Sequence, residues 1–151
     1  MPDRSGILSR ADGIAASSAD ALLLIGRLLM GWIFVQSGWA KITNIPGFAN
    51  YLTQNKVPGA GVLAYIGAPV EFLGGLALLL GFATRYTSLL MILFTIVATL
   101  TAHRYWEFAE PAARRAQSNN FFKNLAMIGG LLFLFVSGAG RFSLDGMLRR
   151  R

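Results

Sequence analysis

The sequence predicts an all-α protein: a four-helix transmembrane bundle with a short interfacial helix between the first and second spans. Two observations indicate this class. Of the 151 residues, 54% are hydrophobic and only 14% are charged, whereas a soluble domain carries about 25% charged residues. In addition, four segments are apolar over about 20 residues, the length of helix that crosses a hydrocarbon core of about 30 Å. We therefore expect lipid to be the main solvent of this chain.

The expected spans are separated by polar or turn-forming linkers. They cover residues 21–43, 62–83, 86–103 and 121–139. The linker 44–61 is rich in Pro, Gly and Asn, which break helices. Within it, Phe48, Tyr51 and Leu52 share one helical face, which predicts a short helix on the membrane surface. The second and third spans are joined by a very short turn and should be antiparallel neighbours.

The ends of the chain are expected to lie outside a membrane domain covering residues 20–140. Residues 1–19 mix Arg and Asp without a long apolar core, so they predict a polar, flexible N-terminal tail and not a secretory signal. Residues 141–151 predict a basic C-terminal tail. At the start of the fourth span, the polar residues 118–120 are expected to cap the helix.

The net charge of +7 indicates an anionic partner. Basic residues lie at the ends of the apolar segments and at the C-terminus, a distribution that favours anionic lipid headgroups over nucleic acid. Four spans place both termini on one side, and the basic residues on the two sides are nearly balanced. We expect cytoplasmic termini in a prokaryotic-type plasma (inner) membrane, because Lys41 and Lys123 on the opposite side are expected to be buried and therefore not to count towards the positive-inside rule.

The residue inventory limits the chemistry. There is no cysteine and only one histidine, which excludes disulfides, thiolate metal sites and bis-histidyl haem ligation within one chain. The sequence contains no flavin, haem or metal motif, so we predict no metal site. No self-contained catalytic motif is present, and whether the protein is an enzyme stays open.

One carboxylate interrupts the second span. Glu71 would lie about 13 Å from the 44–61 side, where a carboxylate costs at least about 2–3 kcal/mol unless it is paired or protonated. Arg27 would lie about 8–9 Å in from the opposite side, and its long side chain could cover much of the remaining gap. We therefore predict a buried Arg27–Glu71 pair with two parallel hydrogen bonds.

Each of the four spans contributes polar side chains to one face, and we expect these faces to turn inward. Most of them would gather towards the 44–61 and 104–120 loops as the mouth of a polar pocket. Structural interpretations stand beside the functional one: an ion pair can fix helix register, lysines can anchor at the headgroups, and a histidine at a helix end can be interfacial. The candidates for ligand binding or proton relay are Glu71, Arg27, His103, Lys41, Asn124 and Lys123.

Motifs in all four spans resemble the DoxX family of small four-helix membrane proteins. They are GRLLMGWIFVQSGWAK (26–41), EFLGGLALLLGFATR (71–85), His103 and FFKNLAMIGG (121–130). The resemblance covers about residues 20–140. The family is named from a subunit linked to an archaeal terminal quinol oxidase and thiosulfate:quinone oxidoreductase, and some members are associated with membrane oxidoreductase complexes. It implies recurrent polar positions, without catalytic assignments, at Arg27, Lys41, Glu71, Arg85, His103 and Asn124.

These features favour an accessory subunit of a membrane oxidoreductase system that binds a quinone or another small apolar ligand inside the bundle. Donors such as His103, Lys41 or Asn124 would bind quinone carbonyls, and Glu71 could relay protons. Two alternatives stay open: a non-enzymatic scaffold or assembly subunit whose polar groups only specify helix packing, and a small transporter or channel. The expected partners are the lipid bilayer, a membrane or cytosolic oxidoreductase that supplies electrons, and further copies of the chain in a homo-oligomer.

Overall fold

The structure, a computed structural model, describes residues 4–149, and no strand is found among them. Its helices are α1 (Arg4–Ile42), α2 (Ile45–Gln54), α3 (Ala60–Leu80), α4 (Thr84–Ala102), α5 (Pro111–Ser137) and α6 (Leu144–Leu148). A 3₁₀ turn, Tyr105–Glu107, links α4 to α5. Four helices within the described residues, α1, α3, α4 and α5, are long and apolar enough to cross a membrane. The predicted all-α class with four spans is confirmed, and α2 lies where the short connecting helix was expected.

Two helices begin earlier than the sequence predicted. Residues 4–19 form the first part of α1; the flexibility of the polar N-terminal segment stays a prediction, and residues 1–3 lie outside the described part. The last spanning helix begins at Pro111, and the Glu110 carboxylate caps it by accepting hydrogen bonds from the N–H groups of Ala112 and Ala113. These bonds lower the pKa of Glu110. The predicted cap at residues 118–120 is therefore wrong, because proline at the first helical position and an acceptor before it start the helix upstream.

Helices α1 and α3 pack through glycines that allow their backbones to approach. A Cβ atom added to Gly38 would lie 2.5 Å from the backbone nitrogen of Phe72, and one added to Gly75 would lie 2.7 Å from that of Val35. Such close approach favours helix association in lipid, where dispersion contacts replace the hydrophobic effect. The pairing also fixes the register of the two antiparallel helices.

Arg27 is 1% exposed and binds the end of α3. Its Nη1 donates to the carbonyl oxygens of Leu78 and Leu79, at 3.3 and 3.1 Å, and its Nη2 donates to the carbonyl of Phe142. The last carbonyls of a helix have no partner within the helix. The guanidinium therefore supplies hydrogen-bond donors to the carbonyl groups at the C-terminal end of α3. Through the Phe142 carbonyl it also links the C-terminal segment of the chain to that helix.

The predicted Arg27–Glu71 pair is wrong, because the two side chains lean in opposite directions. In a helix the side chains tilt towards the N-terminus, and α1 and α3 are antiparallel. Arg27 thus leans towards the chain termini, whereas Glu71 leans towards the α2 end of the bundle. Lys41, near the end of α1, leans inward and forms the salt bridge with Glu71.

The C-terminal segment folds onto the turn between α3 and α4. The Asp145 carboxylate accepts hydrogen bonds from the backbone N–H groups of Ala83 and Thr84, at 2.7 and 2.8 Å. The N–H of Asp145 donates to the carbonyl of Gly81 at 3.0 Å. The expected basic tail is thus structured up to residue 149, and residues 150–151 lie outside the described part. An acid distant in sequence caps the start of α4.

Replacing Asp145 with Ala should destabilise the fold by about 1–2 kcal/mol, the usual value of a helix N-cap. Burial raises the pKa of Asp145, but hydrogen bonds from Thr84 and Ala83 outweigh this effect and hold the pKa below its usual value. Because the folded-state pKa is the lower one, the stabilisation is present above the unfolded pKa of about 3.9 and is lost as the pH falls through the folded pKa.

Thermal unfolding in detergent at a series of pH values measures this effect. The melting temperature of Asp145→Ala should lie below that of the wild type at pH 7, and the difference should shrink in acid. The control is Asp12→Ala, which changes an exposed acid on α1. Equal melting temperatures for wild type and Asp145→Ala at pH 7 would contradict the capping role.

Replacing Gly38 with Ala should destabilise the bundle by about 1–3 kcal/mol, because the added methyl group would overlap the backbone of Phe72. The matched control is Gly26→Ala, where no atom lies within 4 Å of an added Cβ. That change should be neutral or slightly stabilising, since Ala favours helix over Gly. Denaturation of both variants in the same detergent compares them, and equal stabilities would argue against close α1–α3 packing.

Candidate functional site

A polar cavity of about 80 Å³ lies between the four spanning helices. Five of the six candidate residues from the sequence line it, and Arg27 does not. The five are Lys41, Glu71, His103, Lys123 and Asn124. The structure thus brings together side chains from α1, α3, α5 and the end of α4, and it assigns Arg27 to the opposite end of α3.

The salt bridge between Lys41 and Glu71 forms part of this cavity wall. The side chain of Glu71 is only 6% exposed and that of Lys41 is 28% exposed. The ammonium group of Lys41 also donates to Ser37 Oγ at 3.0 Å and lies 5.1 Å from the centre of the Phe48 ring. Glu71 is tolerated in the apolar span because this cation neutralises it, at a smaller cost than an isolated buried charge.

His103 joins a hydrogen-bond chain towards α2. Its Nδ1 lies 2.8 Å from Gln117 Oε1, Gln117 Nε2 donates to Tyr51 Oη at 3.4 Å, and Tyr51 Oη donates to the carbonyl of Ala102 at 3.3 Å. The sequence analysis missed Gln117 because it placed residues 104–120 in a loop. Gln117 precedes Asn124 by seven residues, so an earlier helix start would have placed both on one face.

Asn124 belongs to a second chain of hydrogen bonds, which leads into α4. Its Nδ2 donates to Thr99 Oγ1 at 2.9 Å, Thr99 Oγ1 donates to the Thr95 carbonyl at 2.6 Å, and Thr95 Oγ1 donates to the Met91 carbonyl at 2.6 Å. Asn124 and the two threonines are buried. The predicted inward-facing polar stripe on the third span is present at these threonines.

Lys123 lies at the rim of the cavity. Its side chain is exposed and donates to Asn120 Oδ1 at 3.3 Å. This position suits a lysine that extends towards the membrane surface. The expected burial of Lys123 is therefore wrong, whereas the charge of Lys41 is neutralised inside the bundle.

An apolar groove of about 280 Å³ adjoins the polar cavity. It runs between α2, α3 and α4, and four of its lining residues, Lys41, Phe94, Ala98 and His103, also line the cavity. Outer side chains of the groove, such as Ile66, are exposed on the face expected to meet lipid. Sequence reasoning missed the groove because apolar groove residues have the same pattern as any lipid-facing residues. Within residues 9–149, whose side chains the structure describes, no group of three His, Cys, Asp or Glu side chains could hold a metal ion.

Two family models match the chain. The DoxX model matches residues 22–104, and the SURF4 family model matches residues 70–150. The two matches overlap from α3 to the end of α4. No solved structure matches the chain at a significant level.

Curated relatives include two inner membrane proteins of Escherichia coli. Inner membrane protein YqjF is 38% identical, over 87% of this chain and 95% of the relative, and inner membrane protein YphA is 32% identical, over 82% and 88%. ER-derived vesicles protein ERV29 of Saccharomyces cerevisiae is 32% identical over 50% of this chain but only 24% of its own length. The chain therefore belongs to the DoxX family of integral membrane proteins, as the motifs in its four spans indicated.

Proposed function

We propose that this protein takes a small lipid-soluble molecule with a polar head, such as a quinone, from the bilayer, and that it acts as an accessory subunit of a membrane oxidoreductase system. The observation that carries the proposal is the contact between the apolar groove and the polar cavity. A ligand entering between α3 and α4 would meet Lys41 and His103, which line both spaces.

The sizes of the two spaces suit a ligand with two unlike ends. The polar cavity of about 80 Å³ is smaller than the engineered cavity of about 150 Å³ that binds benzene, so it admits a polar substituent of the ring, a carbonyl or hydroxyl group, but not the whole ring. The groove of about 280 Å³ approaches the lower end of ordinary small-molecule sites. An apolar body in the groove and a polar head among Lys41, Glu71 and His103 would use both spaces.

Redox chemistry of a quinone also requires protons, and the cavity holds groups that exchange them. Glu71 and His103 both line it, and intramembrane ionisable residues commonly act in proton relays. A partner oxidoreductase would supply or accept the electrons. Relatives in the bacterial inner membrane fit this location.

A scaffold or assembly subunit is the second candidate. It is favoured by the Lys41–Glu71 salt bridge together with the glycine contacts that hold α1 against α3, because both would serve helix packing alone. The transporter or channel hypothesis receives less support, since the cavity is far narrower than a pore. Further copies of the chain in a homo-oligomer stay a prediction.

Blocking the groove should remove the ligand without disturbing the fold. Gly67 faces the groove, and an added Cβ there would lie 3.8 Å from the Phe94 ring and 3.9 Å from the Phe48 ring. Gly67→Leu should therefore fill the groove and lower the co-purified quinone at least about fivefold. Mass spectrometry of the lipid-soluble fraction after mild detergent extraction measures the loss.

The matched control is Gly26→Leu, at an exposed position where nothing lies within 4 Å of an added Cβ. It should retain the ligand at the wild-type level. If wild-type protein neither retains nor binds added quinones or hydroquinones, the ligand-binding function fails. A folded Lys41→Met/Glu71→Gln double variant that keeps full cellular function would then favour the scaffold.

The same salt bridge supports a proposal for the orientation of the termini. Because Glu71 neutralises Lys41, the loops between spans lose one effective positive charge, and we propose cytoplasmic termini. The chain has no cysteine, so single-cysteine variants report sidedness cleanly. In intact cells, an impermeant thiol reagent should label Ala116→Cys but not Met147→Cys, both at exposed positions; the opposite pattern would reverse the orientation.

A further inference from the structure

We infer that the bound molecule presents a hydrogen-bond donor to the cavity, as a phenol or hydroquinone does, and not a carbonyl acceptor. The inference rests on the proposed function and specifies which chemical class the site takes. It follows from the direction of the hydrogen bonds around the cavity, because each network begins at a group that can only accept or only donate.

The first network fixes the tautomer of His103. The Ala102 carbonyl can only accept, so the Tyr51 hydroxyl donates to it. The Tyr51 oxygen then accepts from Gln117 Nε2, which turns Gln117 Oε1 towards the imidazole. Nδ1 of neutral His103 must therefore carry the proton, and Nε2 presents a lone pair. Among the described side chains, residues 9–149, none forms a hydrogen bond with Nε2.

The second network fixes the amide of Asn124. The Thr95 carbonyl can only accept, so the Thr99 hydroxyl donates its single proton to this carbonyl. Thr99 Oγ1 must then accept from Asn124 Nδ2. This orientation leaves Oδ1 of Asn124 as a second acceptor, without a partner in the described part of the chain.

The third group is the ion pair. The ammonium of Lys41 is directed to Glu71 Oε2, to Ser37 Oγ and to the face of the Phe48 ring. These three contacts match its three N–H donors. Glu71 Oε1 receives no hydrogen bond from the side chains described, those of residues 9–149, and stays available as an acceptor.

Three acceptors thus line the cavity, and one of them belongs to the carboxylate of Glu71. The donors left without a partner among the described side chains are the second N–H of Asn124 Nδ2 and the hydroxyl of Ser37, and both are uncharged. A ligand hydroxyl would donate to an acceptor, above all to the carboxylate, whereas a quinone carbonyl would accept only from these weaker neutral donors. Lys123 at the rim still has free N–H groups, but it is exposed and can extend towards water. Since a hydrogen bond to a charged group contributes more than one between neutral groups, Glu71 Oε1 is the strongest acceptor for a ligand hydroxyl.

The single histidine makes the first network directly observable. In protein labelled with ¹⁵N only at histidine, all side-chain signals come from His103. At about pH 8, where an imidazole with a pKa near 6.5 is neutral, the spectrum should show protonated Nδ1 and unprotonated Nε2. Tyr51→Phe should mix the two tautomers, whereas Gln117→Glu should keep Nδ1 protonated because a carboxylate only accepts. Protonated Nε2 in the neutral wild-type ring would overturn the inference without any ligand.

Binding of three matched probes tests the ligand class. They are an alkyl hydroquinone, the quinone with the same tail and the hydroquinone dimethyl ether, measured without oxygen on protein in nanodiscs. The hydroquinone should bind at least about tenfold more tightly than the other two. Glu71→Gln, which offers an amide donor, should reduce this preference, and Gly26→Leu should keep it.

The outcomes separate the two proposals. If the quinone or the dimethyl ether binds as tightly as the hydroquinone, the ligand class is wrong while lipid-soluble ligand binding stands. If none of the probes binds, the proposed function itself fails. Retention of the tenfold preference in Glu71→Gln/His103→Ala would show that these acceptors do not select the ligand.

Discussion

The salt bridge between Lys41 and Glu71 is the interaction on which the polar interior depends. It allows an acid to lie inside an apolar helix, and it orients the lysine so that its donors are used within the protein. With the charge neutralised, the neighbouring helices can place amides and an imidazole around a small cavity. Without the lysine, a nearly buried carboxylate would have no cation, and protonation would be its main alternative.

Polar groups stabilise both ends of the bundle, but in different ways. At the end near the termini, Arg27 and Asp145 satisfy backbone carbonyls and N–H groups at the turn between α3 and α4. These contacts bind backbone groups, although Nε of Arg27 is buried without a partner in the described part of the chain. At the α2 end, Glu71, His103 and Asn124 bond to other side chains and line a cavity. The candidate site therefore lies at the α2 end, where buried polar groups surround a space, although both ends contain buried charge.

The family matches cover different halves of the chain and overlap at α3 and α4. This overlap, residues 70–104, includes Glu71, the α4 side of the groove and the α3–α4 turn that Arg27 and Asp145 hold. The second half of α3 and the whole of α4 are therefore common to the parts that resemble the DoxX and SURF4 families. The cavity needs more than this pair, because Lys41 comes from α1 and Asn124 from α5.

The sequence by itself determined the class of the protein, its four spans and five of the side chains that line the cavity. Low charge and apolar runs of the right length leave few alternatives to a helical bundle in lipid, and polar residues in such helices turn away from the acyl chains. Only the tertiary structure decided which groups pair. Arg27 and Lys41 both lie on α1, and their distances from Glu71 along the helix axis allow either side chain to contact it. However, side chains lean towards the N-terminus of their helix. Because α1 and α3 are antiparallel, only Lys41 leans towards the acid. The roles of Gln117 and Asp145 depended equally on helix ends and on contacts between residues distant in sequence, which no local pattern encodes.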